Sequence, residues 1–340
     1  MLEQELHARL TAAGIGDAGF SLTTERWSTQ LVFGAWRPDH VEHLMSSSKW
    51  LTALTVMSLV DDGLLELGAP VAAYLDGFVR HDDAKAAITV RHCLSLTSGL
   101  RPRHPSIMDA TSTLEESVAC IAAEPLLAAP GAALIYGGNG FQVLGAVVQS
   151  VSGCTWHEVF AQRVAGPLRL THTVFGDGRT RNPWLAGGAR STLADMQRFL
   201  QLQLTRGCAG STRVLSEWAL AEMLRDQTGD ARILVSPFDD GRRYGLGVWL
   251  DRIDADGRTL RAGSHGGAGS IPWFDVDSRY AAHLFVYEPD HEGFHGFRSA
   301  LAVSDDIDPL LRAIAAAGTA AEEGSSHLPA ARDGLEDVDR

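Results

Sequence analysis

Ser46-Ser47-Ser48-Lys49, followed by Trp50-Leu51-Thr52-Ala53-Leu54-Thr55-Val56-Met57, is the stretch that decides how this chain is read. The run predicts a helix starting near Ser46, with Leu51, Leu54, Met57, Leu59 and Val60 on its buried side and Asp61-Asp62-Gly63 as its end. It is apolar on almost every face, which predicts a helix at the centre of the fold. A serine and a lysine three residues apart share one helix face. Ser46 then lies in the first turn, where unpaired backbone N–H groups and the helix dipole favour developing negative charge. A serine hydroxyl is a weak nucleophile until a base takes its proton. Lysine is such a base where burial keeps it partly neutral. The alternative is a serine cluster capping an ordinary helix, with Lys49 in solvent. Composition favours the chemical reading: Lys49 and Lys85 are the only lysines, against 27 arginines, and arginine does not deprotonate in proteins.

The 340 residues suffice for one large or two modest domains, and 45% apolar with 21% charged residues is a globular composition. A net charge of −13 argues against a nucleic-acid surface and against anionic membranes as partners. No stretch reaches the roughly 18 apolar residues of a membrane span. The start, Met1 to His7, is acidic and amphipathic, without a basic segment or an apolar run, so a cytoplasmic location is expected. Cys93, Cys120, Cys154 and Cys208 are few and scattered, which predicts reduced thiols rather than a disulfide framework or zinc site. His40 and His43 have a spacing that a helix could use for a metal, but lack a placed carboxylate; no metal and no cofactor is expected.

Around the central helix, residues 19–24 and 29–36 read as strands, and residues 80–185 as mostly helix and loop. A helix over 113–123 is expected to be capped by Thr111 or Ser112, and apolar helices follow over 140–150 and 156–164. Strands are expected at 245–250, 259–262, 270–274 and 281–287, and a last helix at 297–317 stopped by Gly318. This order predicts an α/β sandwich: an antiparallel sheet built from both chain ends and flanked by helices, with a mostly helical second lobe. The expected division is one domain over 1–320, its α/β lobe from 1–80 and 185–320 and its helical lobe from 81–184. The polar, acidic tail 321–340 reads as disordered. A cleft between the lobes is the natural ligand site.

Two further segments carry chemistry. Tyr136-Gly137-Gly138-Asn139-Gly140 places a tyrosine before a glycine-rich turn and a helix. Beside a lysine ammonium its phenolate would be favoured, so Tyr136 is expected to share the base role. Gly263-Ser264-His265-Gly266-Gly267-Ala268-Gly269 lies between predicted strands, where glycines mark close approach of a ligand to backbone. The Ala268 N–H and the Ser46 N–H are the expected oxyanion donors. His265 is expected to bond a substrate carbonyl or the Tyr136–Lys49 network. There is no Gly-x-Ser-x-Gly elbow.

Ser46/Lys49, Tyr136 and His265-Gly266-Gly267, in this order, resemble the three motifs of the serine β-lactamase and penicillin-binding protein superfamily. The match is closer to its class C β-lactamase-like branch, with the family VIII carboxylesterases, D-aminopeptidases and acyltransferases. The flanks 59–65, 88–100 and 244–247 fit as well, and the resemblance covers roughly residues 18–318. It implies a Ser46 acyl-enzyme formed from a small-molecule ester or amide, with Gly138, Asn139, Gly266 and Gly267 at the substrate. The chain departs from the branch twice. Gly138 replaces the asparagine of Tyr-x-Asn, with Asn139 one place later, and His265 stands where β-lactamases have a lysine. Both changes argue against efficient β-lactam hydrolysis and leave the Ser–Lys–Tyr acyl chemistry intact; esterase activity is the leading expectation, with β-lactamase or D-aminopeptidase activity as alternatives. Acyl transfer to an amine or alcohol is the second expectation, and a non-catalytic binding protein the third.

Overall fold

The computed structural model describes residues 1–286 and 295–323. Seven strands form its main sheet: β1 (Ala18–Thr24), β2 (Ser28–Phe33), β3 (Arg243–Tyr244), β4 (Trp249–Ile253), β5 (Thr259–Gly263), β6 (Ser270–Asp275) and β7 (Tyr280–Val286). Their order is β3-β4-β5-β6-β7-β1-β2, with every neighbour antiparallel. The N-terminal hairpin joins the C-terminal meander through the β1–β7 pairing, where Phe20 faces Leu284. The helices used below are α1 (Leu2–Ala12), α2 (Ser48–Asp61), α3 (Leu114–Ala123), α4 (Asn139–Ser152) and α5 (His295–Glu323).

β1, β6 and β7 are buried along their whole length, because both faces of the sheet are covered. Alternate residues point to opposite faces. Phe20, Leu22, Ile271, Trp273 and Leu284 pack on one side with Leu6 and Leu10 of α1 and Ile307 and Leu311 of α5. Trp249, Phe274 and Phe285 face the other side and join a larger core around α2. In α2 every residue from Ser48 to Leu59 is buried, as its all-round apolar face predicted. Each fully buried leucine there contributes about 2 kcal/mol.

Several boundaries differ from expectation for identifiable reasons. The strand expected over 245–250 begins at Trp249, because Gly245–Val248 form a turn in which the Gly245 N–H donates to the Val248 carbonyl. The strand expected through residue 36 stops at Phe33, where Gly34 adopts φ 63°. The cap of α3 is Thr113, not Thr111 or Ser112: its hydroxyl accepts from Glu116 N–H while the Glu116 carboxylate accepts from Thr113 N–H. Gly318 does not stop α5, which runs to Glu323; one glycine costs a helix only about 1 kcal/mol against alanine. His43 lies on a two-residue strand, so it and His40 do not share a helix face. The expected disorder of the tail lies, from residue 324 on, outside the described residues. Ala133–Ile135, inside the stretch expected to be mostly helix and loop, pairs with Arg232–Val235 as a short parallel strand. No helix among the described residues is long and apolar enough to cross a membrane.

Candidate active site

The three consecutive serines have three different destinations. The Ser48 hydroxyl accepts from Ala189 N–H at 3.0 Å. The buried Ser47 hydroxyl lies 3.1 Å from both the carbonyl and the hydroxyl of Ser270 on β6. Ser46 alone is turned to Lys49, whose Nζ stands 3.0 Å from its Oγ. Ser46 sits in a 3-10 turn, Met45–Ser47, that leads directly into α2. Met45, just before it, holds φ 47°, a left-handed conformation that costs a non-glycine residue about 1–2 kcal/mol. The surroundings hold that turn in place. The Ser264 hydroxyl donates to the Ser46 carbonyl at 3.1 Å, and Gly266 lies so close that a Cβ there would meet the Leu44 carbonyl oxygen at 2.1 Å. Any side chain at 266 would push the strand away from the serine.

Lys49 is 3% exposed. Besides Ser46 it has two neighbours: the Ala186 carbonyl at 3.0 Å and the Tyr136 hydroxyl at 3.4 Å. Burial, with no carboxylate among the described residues hydrogen-bonded to the ammonium, pushes its pKa from 10.5 down to about 7. A neutral amine donating to Ala186 and Tyr136 keeps its lone pair for the Ser46 proton. Thr52, one turn on, donates to the Leu185 carbonyl at 2.8 Å. The segment 185–189 is therefore fastened along α2 through Ser48, Lys49 and Thr52. It was not singled out in the sequence. Buried polar groups on an apolar helix need partners, but spacing along the chain does not say where those partners come from.

Tyr136 is positioned from the loop over 226–243: its N–H donates to the Val235 carbonyl at 2.9 Å, and its ring stacks on Trp249 at 5.2 Å. Burial pushes its pKa up to about 12, outweighing its hydrogen bonds with Ser46 and Trp249. This corrects the expectation of a phenolate. Tyr136 stays a neutral phenol, able to pass a proton, while Lys49 is the group that titrates near neutrality.

Two other expectations are corrected by geometry. The His265 side chain is fully buried, and its Nε2 lies 2.9 Å from Asp251 on β4 rather than on the Lys49–Tyr136 pair. Burial raises the Asp251 pKa, but His265, Arg261 and Arg242 together hold it below the usual carboxylate range. The histidine thus belongs to a buried charge cluster beneath the strand. Asn139 is 1% exposed, and its Oδ1 accepts from His104 N–H at 2.8 Å, so it pins the loop over 101–112 instead of facing the cleft. Gly137 belongs to the same clamp: a Cβ there would lie 2.1 Å from the Pro102 carbonyl oxygen. Its neighbour Gly138 donates to that oxygen at 2.6 Å.

Gly267 and Ala268 line a cleft with Met45. The backbone N–H groups of Ser46 and Ala268 donate to no other described residue. A serine hydroxyl, an amine with a lowered pKa, a phenol and two backbone N–H groups without a partner among the described residues are the parts that acyl transfer through a serine requires.

Comparison with known proteins places the chain. The chain is 27% identical over 292 residues to Protein Rv1367c of Mycobacterium tuberculosis, covering 69% of this chain and 72% of that one. Among solved structures, a candidate β-lactamase from Bacteroides dorei superposes with a TM-score of 0.80 at 25% identity, over 91% of this chain and 98% of that one. A family VIII carboxylesterase shares the fold at a TM-score of 0.68 and 19% identity, over 89% and 96% of the two chains. The sequence model of the Beta-lactamase family matches residues 14–302. The chain belongs to the β-lactamase family.

Proposed function

We propose that this protein is a serine hydrolase that cleaves small-molecule esters through an acyl-enzyme on Ser46. The observation that carries the reading is the buried Lys49 Nζ, 3.0 Å from the Ser46 hydroxyl and with a pKa near 7. The neutral amine takes the Ser46 proton as Oγ bonds to the carbonyl carbon. The N–H groups of Ser46 and Ala268 receive the oxyanion. As the ester bond breaks, the proton returns to the leaving alkoxide by way of the Tyr136 phenol. Water, activated by the same pair, then releases the acid and restores Ser46.

Esters are favoured over β-lactams and peptides because, among the described residues, no lysine or arginine lines the cleft to hold a substrate carboxylate, and His265 is committed to Asp251. The test is intact-protein mass after treatment with a fluorophosphonate and a p-nitrophenyl ester, with Ser46→Ala as control. An adduct present in the wild type and absent from the variant is expected. Folded wild-type protein that gains no mass would overturn the reading and leave a binding protein with this fold. Diversion of the acyl group from water to an added amine or alcohol would redefine the enzyme as a transferase.

A further inference from the structure

The cleft beside Met45 and Ala268 has a volume of about 790 Å³, within the usual range for a small-molecule site. Ile107 and Met108 of the 101–112 loop and Trp184 form much of its wall. Gly138 lies behind that wall: a Cβ there would meet Ile107 Cδ1 at 3.2 Å and Trp184 Nε1 at 3.6 Å. At position 138, which has no side chain of its own, the Ala186 and Ile107 side chains and the indole N–H edge of Trp184 close the space. Among the residues lining the cleft, Asp177 is the one with a formal charge at neutral pH when histidine is neutral, and it is exposed.

The cleft also has a side. Its lining includes Met45, next to Ser46 in the chain, and the oxyanion donor Ala268, but not Ser46, Lys49 or Tyr136, so the cleft opens beside the Ser46 turn on the side away from the amine and the phenol. The leaving group must depart toward the groups that return its proton. The substituent on the other side of the carbonyl carbon is the acyl chain, and it projects away from them.

We propose that this cleft is the acyl pocket and that it selects uncharged, apolar acyl groups, with Ile107, Met108 and Trp184 as the specificity-determining residues. The proposal rests on the serine hydrolase reading above. A methylene moved from water into an apolar wall favours the complex about fourfold.

The experiment measures kcat/KM for two ester series on the wild type. In one the acyl chain grows from acetyl to octanoyl with p-nitrophenol constant; in the other the alcohol grows with the acyl group constant. At least a tenfold rise from acetyl to hexanoyl is expected in the first series and a flat response in the second. Ala110, exposed at the cleft edge, is replaced by tryptophan to fill the cavity, which should shift the optimum to shorter chains. Trp184→Ala should shift it to longer ones. A slope in the alcohol series alone, or an unchanged optimum in the folded Ala110→Trp variant, would overturn the assignment. So would preference for a hemisuccinyl ester, which would point to recognition by Arg103, stacked 5.7 Å over Trp184. Covalent labelling of Ser46 distinguishes the two failures: a labelled enzyme with no chain-length preference loses only the acyl pocket, and an unlabelled one loses the hydrolase.

Discussion

Replacing Lys49 with methionine and following both variant and wild type across pH isolates the buried amine. Burial moves its pKa from 10.5 to about 7. Each unit corresponds to about 1.4 kcal/mol, so the buried ammonium costs the fold about 5 kcal/mol while both folded and unfolded chains hold it protonated. The folded pKa lies below the unfolded one. The full cost is therefore present below pH 7, shrinks as pH rises because the unfolded chain binds more protons, and disappears above about pH 10.5. Urea unfolding should show wild type gaining about 2–3 kcal/mol on Lys49→Met between pH 7 and pH 9. The same proton governs the nucleophile. The rate of Ser46 labelling by a fluorophosphonate should rise about tenfold from pH 6 to pH 8 and then level, as a single deprotonation. Lys49→Met should label about 10²–10⁴-fold more slowly, as expected for loss of a general base. A wild-type labelling rate that is flat from pH 6 to pH 8, or a stability difference that does not change with pH, would refute the argument that Lys49 is a half-neutral base.

Tyr136→Phe keeps the stack on Trp249 and removes the hydroxyl; kcat should fall about 10²–10³-fold with KM little changed, measured by steady-state kinetics on a p-nitrophenyl ester. Gly266→Ala places a methyl against the Leu44 carbonyl, so Ser46 labelling should drop by at least about tenfold, in line with the cost of misplacing a reacting atom, while circular dichroism stays that of the wild type. Asp251→Asn strips the buried carboxylate from His265, Arg242 and Arg261. It should destabilise the fold by about 3 kcal/mol, read by urea unfolding, with a smaller effect on kcat than Tyr136→Phe.

These predictions separate what a linear sequence states from what a folded chain decides. Ser46 and Lys49 were legible because a helix fixes the relation between residues three apart, and their Oγ–Nζ distance of 3.0 Å follows from that local geometry. The central place of α2 was legible for a similar reason: a helix apolar on every face has nowhere to go but inside. The antiparallel sheet with strands from both chain ends was also readable, from runs of β-forming residues separated by turn sequences. The protonation states were not. Lys49 keeps its expected role while Tyr136 loses its expected phenolate, because burial disfavours whichever form is charged, and burial is a property of the whole fold. The same holds for His265, whose partner Asp251 lies on the neighbouring part of the sheet, and for Asn139, claimed by the backbone of a loop thirty-five residues away. The sequence by itself determined the pairing of Ser46 with Lys49, the central helix and the sheet, all set by periodicities of a few residues. Only the tertiary structure decided that the Ala186 carbonyl braces Lys49 and that Ile107 and Trp184 close the space at Gly138. Those contacts join segments distant in the chain, where no spacing rule reaches and packing alone chooses the neighbour.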